Sequence, residues 1–475
     1  MKRKLIRRMA MITAAAVMLP GCGNAGDAVQ SNGTTAATEE DSTENVSDNA
    51  AEEDAETESQ TQGVDVGEDY SAELPADYEG TLTMWGWDDP YYETMTKGFQ
   101  EKYPNVKFEY TPMANGDSLQ KYQTALATGT DLPDVGWAII DSRAKVYELD
   151  MWEDLSAAPY NFDINDVFDY LHPKMVNSKG AVCGIEQSLS PAGMAYRRDL
   201  ALEYFGTDDR EKLEEMFPTW EAFIEAGKKV QEQSGGTVYM MPGSGDALQF
   251  VREQGGNSWI EGNTIQATKS LKRSIELACE FRDNNTVDKL EAWSTAWNAS
   301  FGEGKHIFAG CATWTVSTII APNDPEGENT GHWGLMNAPE GNISWGGTTL
   351  GITKSCKDKR LAWEFIKYAT LSTEGAEKLH SIGLMTSAKA PYEEKPELKS
   401  YVSPWFGDQD IGSMFIDEII PNIAIRPMNL DDNIVHETAN LITTSIESDP
   451  SLDAEGAMEQ LKEELEMRLP DYTIE

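Results

Sequence analysis

"TLTMWGWDD", residues 81–89, runs into "PYYETMTKGFQEKYP" (90–104) and then "NVKFEY" (105–110). The first piece alternates, placing Leu82 and Met84 on one face of a strand, and the last alternates again through Val106, Phe108 and Tyr110. The segment between them has helical character and meets a stop at Pro104. A strand, a helix and a second strand in so short a span predict an open α/β sheet. The same grammar continues outward. Residues 118–129 read as a helix ended by Gly129, and "DVGWAII" (134–140) as a short buried strand. In "PTWEAFIEAGKKVQEQSGG" (218–236), Pro218 and Thr219 open a helix, Trp220, Phe223 and Ile224 form its apolar stripe, and Gly235-Gly236 end it. Residues 358–371 and 451–469 are also amphipathic. In the latter, Ala454, Met458, Leu461 and Leu465 share one face. Trp220 and Trp363 fall on helix stripes and are expected in the core.

The amino terminus has a different character. Five basic residues within "MKRKLIRR" precede an apolar run from Met9 to Leu19, about half of the roughly 20 residues a membrane-crossing helix needs. This is the layout of an export signal. "LPGC" (19–22) resembles a bacterial lipobox, which implies a signal peptide over 1–21 and a lipid on Cys22 as the new terminus. Two acyl chains hold a protein on a bilayer where one is marginal. From Gly23 to Glu79 there are 17 acidic residues and no Lys or Arg. One-signed charge with little apolar surface cannot offset ordering entropy, so residues 22–79 are expected to form a disordered acidic linker. Beyond Leu19 no long apolar run remains.

The roughly 395 residues that follow exceed what one hydrophobic core usually serves, so two lobes are expected. The net charge is −43, which argues against nucleic-acid partners and against long-range steering of anions. Four cysteines (Cys183, Cys279, Cys311, Cys356) lie far apart. Their spacing gives neither a zinc site nor a disulfide framework, and it leaves pairing open.

Six segments occur in the order found in the sugar-binding group of ABC-importer solute-binding proteins, the group that includes maltose-binding protein. They are residues 81–110, 122–141, 179–200, 218–223, 301–319 and 345–379. The chain from about Thr81 to Leu469 resembles that family. The resemblance implies a two-lobe, hinge-linked α/β fold of the periplasmic-binding-protein type II class, with the ligand cleft between lobes. It places lobe I at 80–194 plus 347–395 and lobe II at 195–346 plus 396–475, with crossings near Met194, near Gly347 and at 390–400. It further implies a lipid-anchored protein on the extracellular face of the cell membrane, a monomer, that binds a carbohydrate and hands it to ABC permease subunits. The sequence departs from the family pattern at Cys183 and Glu186, and at Arg197-Arg198. These departures bear on the ligand and leave the fold expectation intact.

A carbohydrate offers flat C–H faces and a ring of hydroxyls, so aromatic rings and carboxylates are the side chains suited to hold it. All 13 Trp lie in the globular part, and Trp85, Trp87, Trp259, Trp293, Trp297, Trp314, Trp345 and Trp405 fall where loops should leave strand ends. Ligands of open α/β sheets sit at the carboxyl ends of strands. Trp87, Asp88 and Asp89, directly after the first strand, are therefore candidates, although Asp88 equally suits a helix N-cap. By resemblance, Asp141 takes sugar hydroxyls, Trp314 stacks on a ring, and Asp246 is a carboxylate of the site, with a plain turn role as its alternative. Gln187 and Trp345 sit beside the expected crossings. Trp405 and Arg426 complete the set, with core or surface roles equally open.

The five His (172, 306, 332, 380, 436) are scattered without a metal-binding spacing, and neither a nucleophile elbow nor a phosphate loop occurs. No cofactor, metal or catalytic residue is expected. Two alternatives stand: a receptor for a polyamine, a peptide or a polyol phosphate, and a surface glycoside hydrolase using paired acids. With 81 Asp and Glu, carboxylate pairs are available anywhere.

Overall fold

The structure is a computed structural model that describes residues 69–475. Cys22, the signal segment and the linker up to residue 68 lie outside the described residues. Twelve strands occur among the described residues: β1 (Gly80–Gly86), β2 (Val106–Pro112), β3 (Val135–Ile139), β4 (Ile185–Glu186), β5 (Pro191–Arg197), β6 (Ile260–Glu261), β7 (Thr264–Ile265), β8 (Phe308–Ala312), β9 (Trp333–Met336), β10 (Ile343–Ser344), β11 (Thr348–Ile352) and β12 (Thr473–Ile474).

The first sheet has the order β2-β1-β3-β11-β4. β1 runs parallel to β2 and β3, in the register Leu82–Phe108 and Met84–Val135. β11 is antiparallel to both its neighbours, with Leu350 opposite Trp137 on one side and Ile185 on the other. Leu82 and Met84 are fully buried, as the alternation requires. Helix α1 (Asp89–Lys102) ends two residues before Pro104, which cannot continue it. Helix α2 (Ser118–Thr128) ends at Gly129, whose φ of +65° is the left-handed C-cap conformation.

The second sheet is built on β5, which pairs antiparallel with β8, β9 and β10. Its residues alternate between two apolar layers. Met194 and Tyr196 pack with Trp220, Phe223 and Phe308, while Ala195 packs with Cys311 and Leu335 on the opposite face. A sheet covered on both faces reads as a continuous apolar run, and every residue of β5 is buried. The small third sheet, β12-β7-β6, brings the carboxyl terminus beside the second lobe's helices. Trp220 and Trp363 are buried in the cores, and Thr219 and Gly235 cap the helix between them as expected. The four cysteines of the described residues are buried and unpaired. No described helix is long and apolar enough to cross a membrane.

Two boundaries differ from the sequence reading. Met194, expected at a crossing, is inside the second sheet, opposite Gly310 and Met336. The chain passes between sheets at residues 187–190. Apolar continuity through 191–197 conceals the change of sheet, because both sheets are buried there. The acidic linker also ends earlier than residue 79. Leu74 is buried in the first core, Tyr70 meets Tyr160 edge-on at 5.7 Å, and Glu73 pairs with Lys102 at 2.8 Å. Two apolar anchors suffice to pin a segment whose composition otherwise favours disorder.

A buried ion pair fixes the end of β4. Arg143, on helix α3 (Ile140–Tyr147), pairs with Glu186, and both side chains are fully shielded from solvent. The guanidinium also donates to the carbonyls of Ala138 and Lys174, each at 3.2 Å. Glu186→Gln leaves the Arg143 charge buried without its counter-ion, a change that costs about 3–5 kcal/mol. The expected outcome is a correspondingly lower chemical-denaturation midpoint, and an unchanged midpoint would show that the pair contributes nothing.

Candidate functional site

A cleft of about 1650 Å³ opens between the two lobes. Its floor is the pair of crossing segments. Gln187 N–H donates to the Thr348 carbonyl at 2.8 Å, and Trp345 N–H donates to the Ser190 carbonyl at 2.8 Å. Residues that follow strand ends form the walls. Trp87 follows β1, Asp141 follows β3, and Trp314 follows β8, so the cleft lies at the carboxyl ends of these strands.

Of the ten candidates, eight line this cleft: Trp87, Asp88, Asp141, Gln187, Asp246, Trp314, Trp345 and Arg426. Asp89 and Trp405 do not. Asp89 opens helix α1 on the outer side, in a shallow depression with Glu93 and Lys97. It points away because the helical twist separates it from its neighbour Asp88. Trp405 is held elsewhere, its Nε1 donating to Asp324 at 2.9 Å. Arg426 borders the cleft in a structural role. It pairs with Glu253 at 3.0 Å and with Asp432, and its guanidinium lies 4.0 Å from the Trp259 ring.

One wall is indole. Trp314 and Trp293 stack with centroids 5.7 Å apart and planes 24° apart, and Trp345 meets Trp314 at 5.4 Å and 64°. Trp314 Nε1 donates to the Trp345 carbonyl at 3.0 Å, which fixes its ring. Two glycines make room. A Cβ on Gly310 would stand 2.6 Å from the Trp345 ring, and Gly346, at φ +84°, turns the chain over Trp314. Trp87 faces the cleft from the other lobe, edge-on to buried Trp137 at 5.5 Å.

Sequence reasoning left Trp293 out of the site. It is 55% exposed, has φ +70°, and lies on the cleft wall. A large exposed indole in a left-handed conformation is an unusual expense of backbone energy, and such outliers gather at functional sites. The sequence signal was the pair Trp293 and Trp297, four residues apart around the helix-capping Ser294. Lys174 and Arg252 were also missed. Arg252 falls one helical turn after buried Leu248, where an apolar residue would be expected.

The acids of the cleft differ in their access to water: Asp246 is buried, Asp88 is half-buried and Asp141 is exposed to the cleft. Burial raises the Asp88 carboxyl, partly offset by the Tyr91 N–H that it caps at 3.0 Å. Asp141 is open to the cleft, yet the protein packed around it raises its carboxyl, with nearby Arg143 pulling the other way. Burial pushes Asp246 up to about 7, although the Trp297 Nε1 donor at 2.7 Å favours its charged form. Asp246, shielded in this way, meets little competition from bulk water as an acceptor. No cluster of three or more His, Cys, Asp or Glu suited to a metal ion occurs among the described residues.

Asp246 makes stability depend on pH. Its folded carboxyl binds a proton more tightly than the unfolded one, whose ordinary value is 3.8. Stability therefore declines as pH rises from 3.8 through about 7. Asp246→Asn keeps an acceptor for Trp297 and cannot ionise. Denaturant unfolding at pH 5 and pH 8 should show the variant gaining on the wild type by about 3 kcal/mol at the higher pH. Parallel pH profiles would refute this assignment.

Residues 94–403 match the family described as bacterial extracellular solute-binding protein. The lactose-binding protein of Rhizobium radiobacter is 25% identical over 380 residues, spanning 74% of this chain and 85% of that protein. A crystal structure of an extracellular solute-binding protein of family 1 superposes with a TM-score of 0.72 at 20% identity, covering 82% of this chain and 99% of the other. The galacto-N-biose/lacto-N-biose I-binding protein of the ABC transporter from Bifidobacterium longum, in complex with lacto-N-biose, gives 0.66 at 16% identity, covering 85% and 100%. These likenesses identify the fold as the two-lobe, hinge-linked class of type II periplasmic binding proteins. With the matched region spanning well over half its length, the chain belongs to the bacterial extracellular solute-binding protein family.

Proposed function

We propose that this chain is a lipid-anchored receptor that captures a carbohydrate, an oligosaccharide in size, between its lobes and presents it to an ABC permease. The observation that carries the proposal is the indole wall of Trp293, Trp314 and Trp345 facing Trp87 and the acids Asp88 and Asp141 across one cleft. Aromatic faces suit the C–H faces of pyranose rings, and carboxylates suit their hydroxyls. The cleft volume accommodates several sugar units. The relatives named for lactose and lacto-N-biose support a carbohydrate ligand. So does a structural neighbour from B. animalis subsp. lactis in complex with β-1,6-galactobiose.

In this reading the protein is a monomer whose lobes close on the ligand. Contacts made from both sides favour the closed state, and the crossing segments at 187–190 and 345–347, with a third near 390–400, absorb the motion. Lobe I then comprises residues up to the first crossing plus 347–395, and lobe II the segment up to 346 plus 396–475. Cys22 carries the acyl chains, and the acidic linker gives the lobes reach.

Calorimetry with a panel of neutral oligosaccharides tests the site. Trp314→Ala should weaken binding at least about tenfold, or 1.4 kcal/mol, while Trp405→Phe leaves it unchanged. A sugar that binds Trp314→Ala as tightly as wild type removes that residue from the site. For the anchor, Cys22→Ser should move the protein from the membrane fraction to the medium on fractionation. Retention in the membrane would exclude acylation at Cys22.

A further inference from the structure

The indole wall and the acids leave one end of the cleft unaccounted for, where a buried and a half-buried cation lack anions. Lys174 closes the 3₁₀ turn Asp169–Lys174 of the first lobe, and Arg252 lies on the helix Ser244–Gln254 of the second. Both line the cleft. Arg252 is 3% exposed. Its Nη2 donates to Asn440 Oδ1 at 2.7 Å, but Nε and Nη1 have no acceptor among the described residues. Neither Arg252 nor Lys174 has an ion-pair partner among them.

Glu253 is the carboxylate whose field reaches both cations. Its oxygens are already engaged by Arg426 at 3.0 and 3.2 Å, and Asp432 is engaged by the same guanidinium. His436 adds no charge, because burial and then Arg252 drive its pKa down to about 3. Lys174 also feels Glu186, but that carboxylate is already paired with Arg143, so Lys174, Arg252 and Arg426 face Glu253 and Asp432 with one positive charge in surplus. Desolvation has already pushed the Lys174 ammonium down to about 8, the response expected of a cation lacking compensation. Acceptors stand nearby as well. Gln187 Oε1 and Asn433 Oδ1 line the cleft, buried and without donors among the described residues.

We propose that the ligand is an acidic carbohydrate, a uronate-type sugar whose single carboxylate is received by Arg252 and Lys174 while its hydroxyls reach Gln187 and Asn433. A neutral sugar would satisfy the free N–H donors and leave the surplus charge buried. A carboxylate satisfies both. A phosphate monoester brings close to two charges, exceeds the surplus, and meets the most opposition from a chain of net charge −43. The inference rests on the carbohydrate reading of the cleft and sharpens it.

Calorimetry on the full protein with matched pairs, galactobiose with digalacturonate and cellobiose with cellobiouronate, decides the matter. The expected result is an acidic member bound at least tenfold tighter than its neutral counterpart, with the preference shrinking as salt rises. Arg252→Gln should reduce the preference to under threefold. Should that variant fail to fold, Lys174→Gln, at a half-buried site without a partner, reads the same preference. Equal binding of neutral and acidic members by the wild type overturns the acidic inference and leaves the carbohydrate reading standing. Binding of no member overturns the carbohydrate reading itself. A preference that survives both substitutions removes Arg252 and Lys174 from the site.

Discussion

The architecture turns on where β11 is inserted. The first sheet is left open after β4, the chain departs to build the whole of the second sheet, and β11 then returns to fill the place between β3 and β4. Because β4 and β11 are antiparallel neighbours, the outgoing segment at 187–190 and the returning segment at 345–347 must run side by side. The bonds from Gln187 to Thr348 and from Trp345 to Ser190 continue that pairing beyond the sheet. A two-stranded connector of this kind can bend about its length without losing its backbone partners. It also puts the carboxyl ends of β1 and β3 on one side of the gap and that of β8 on the other. The cleft is a consequence of this pairing.

Within the cleft the chemistry is divided by position. Indoles held by backbone contacts offer flat, low-entropy apolar faces. Burial raises Asp88 and Asp246, and the Tyr91 N–H and Trp297 Nε1 that they accept from bound how far their affinity for protons rises. Arg143 links both regions to the connector. By gripping the carbonyls of Ala138 and Lys174 together with Glu186, it ties the strand before Asp141, the turn bearing Lys174 and the residue before Gln187 into one unit. A fully shielded charge pair is weak evidence for stability, but its direction-dependent bonds suit a part that must hold geometry.

Much of this was legible from local pattern. Alternation at Leu82 and Met84, the Pro104 stop, the Gly129 and Gly235 caps and the Trp220 stripe are rules written within a few residues. Trp87 and Asp88 followed from the strand end before them, whereas Asp141 and Trp314 came from the family resemblance. Where local pattern carries no information, the reading failed. A buried run looks the same in either sheet, so the exchange before β5 was hidden. Asp89 and Trp405 have suitable chemistry but face other neighbours, and direction depends on helix phase and tertiary packing. Arg252 and Lys174 acquire their significance only from what surrounds them, which no spacing encodes.

The unpaired thiols carry a further implication. Burial pushes Cys183 and Cys311 up to about 12 and raises Cys356 too, so the reactive thiolate is essentially absent near neutral pH. Thiol–disulfide exchange has no entry point at these positions in the folded molecule. Within the described residues the covalent framework is therefore indifferent to whether the surroundings are oxidising or reducing. A receptor working outside the cell can meet swings in redox poise without remodelling the body that holds its ligand.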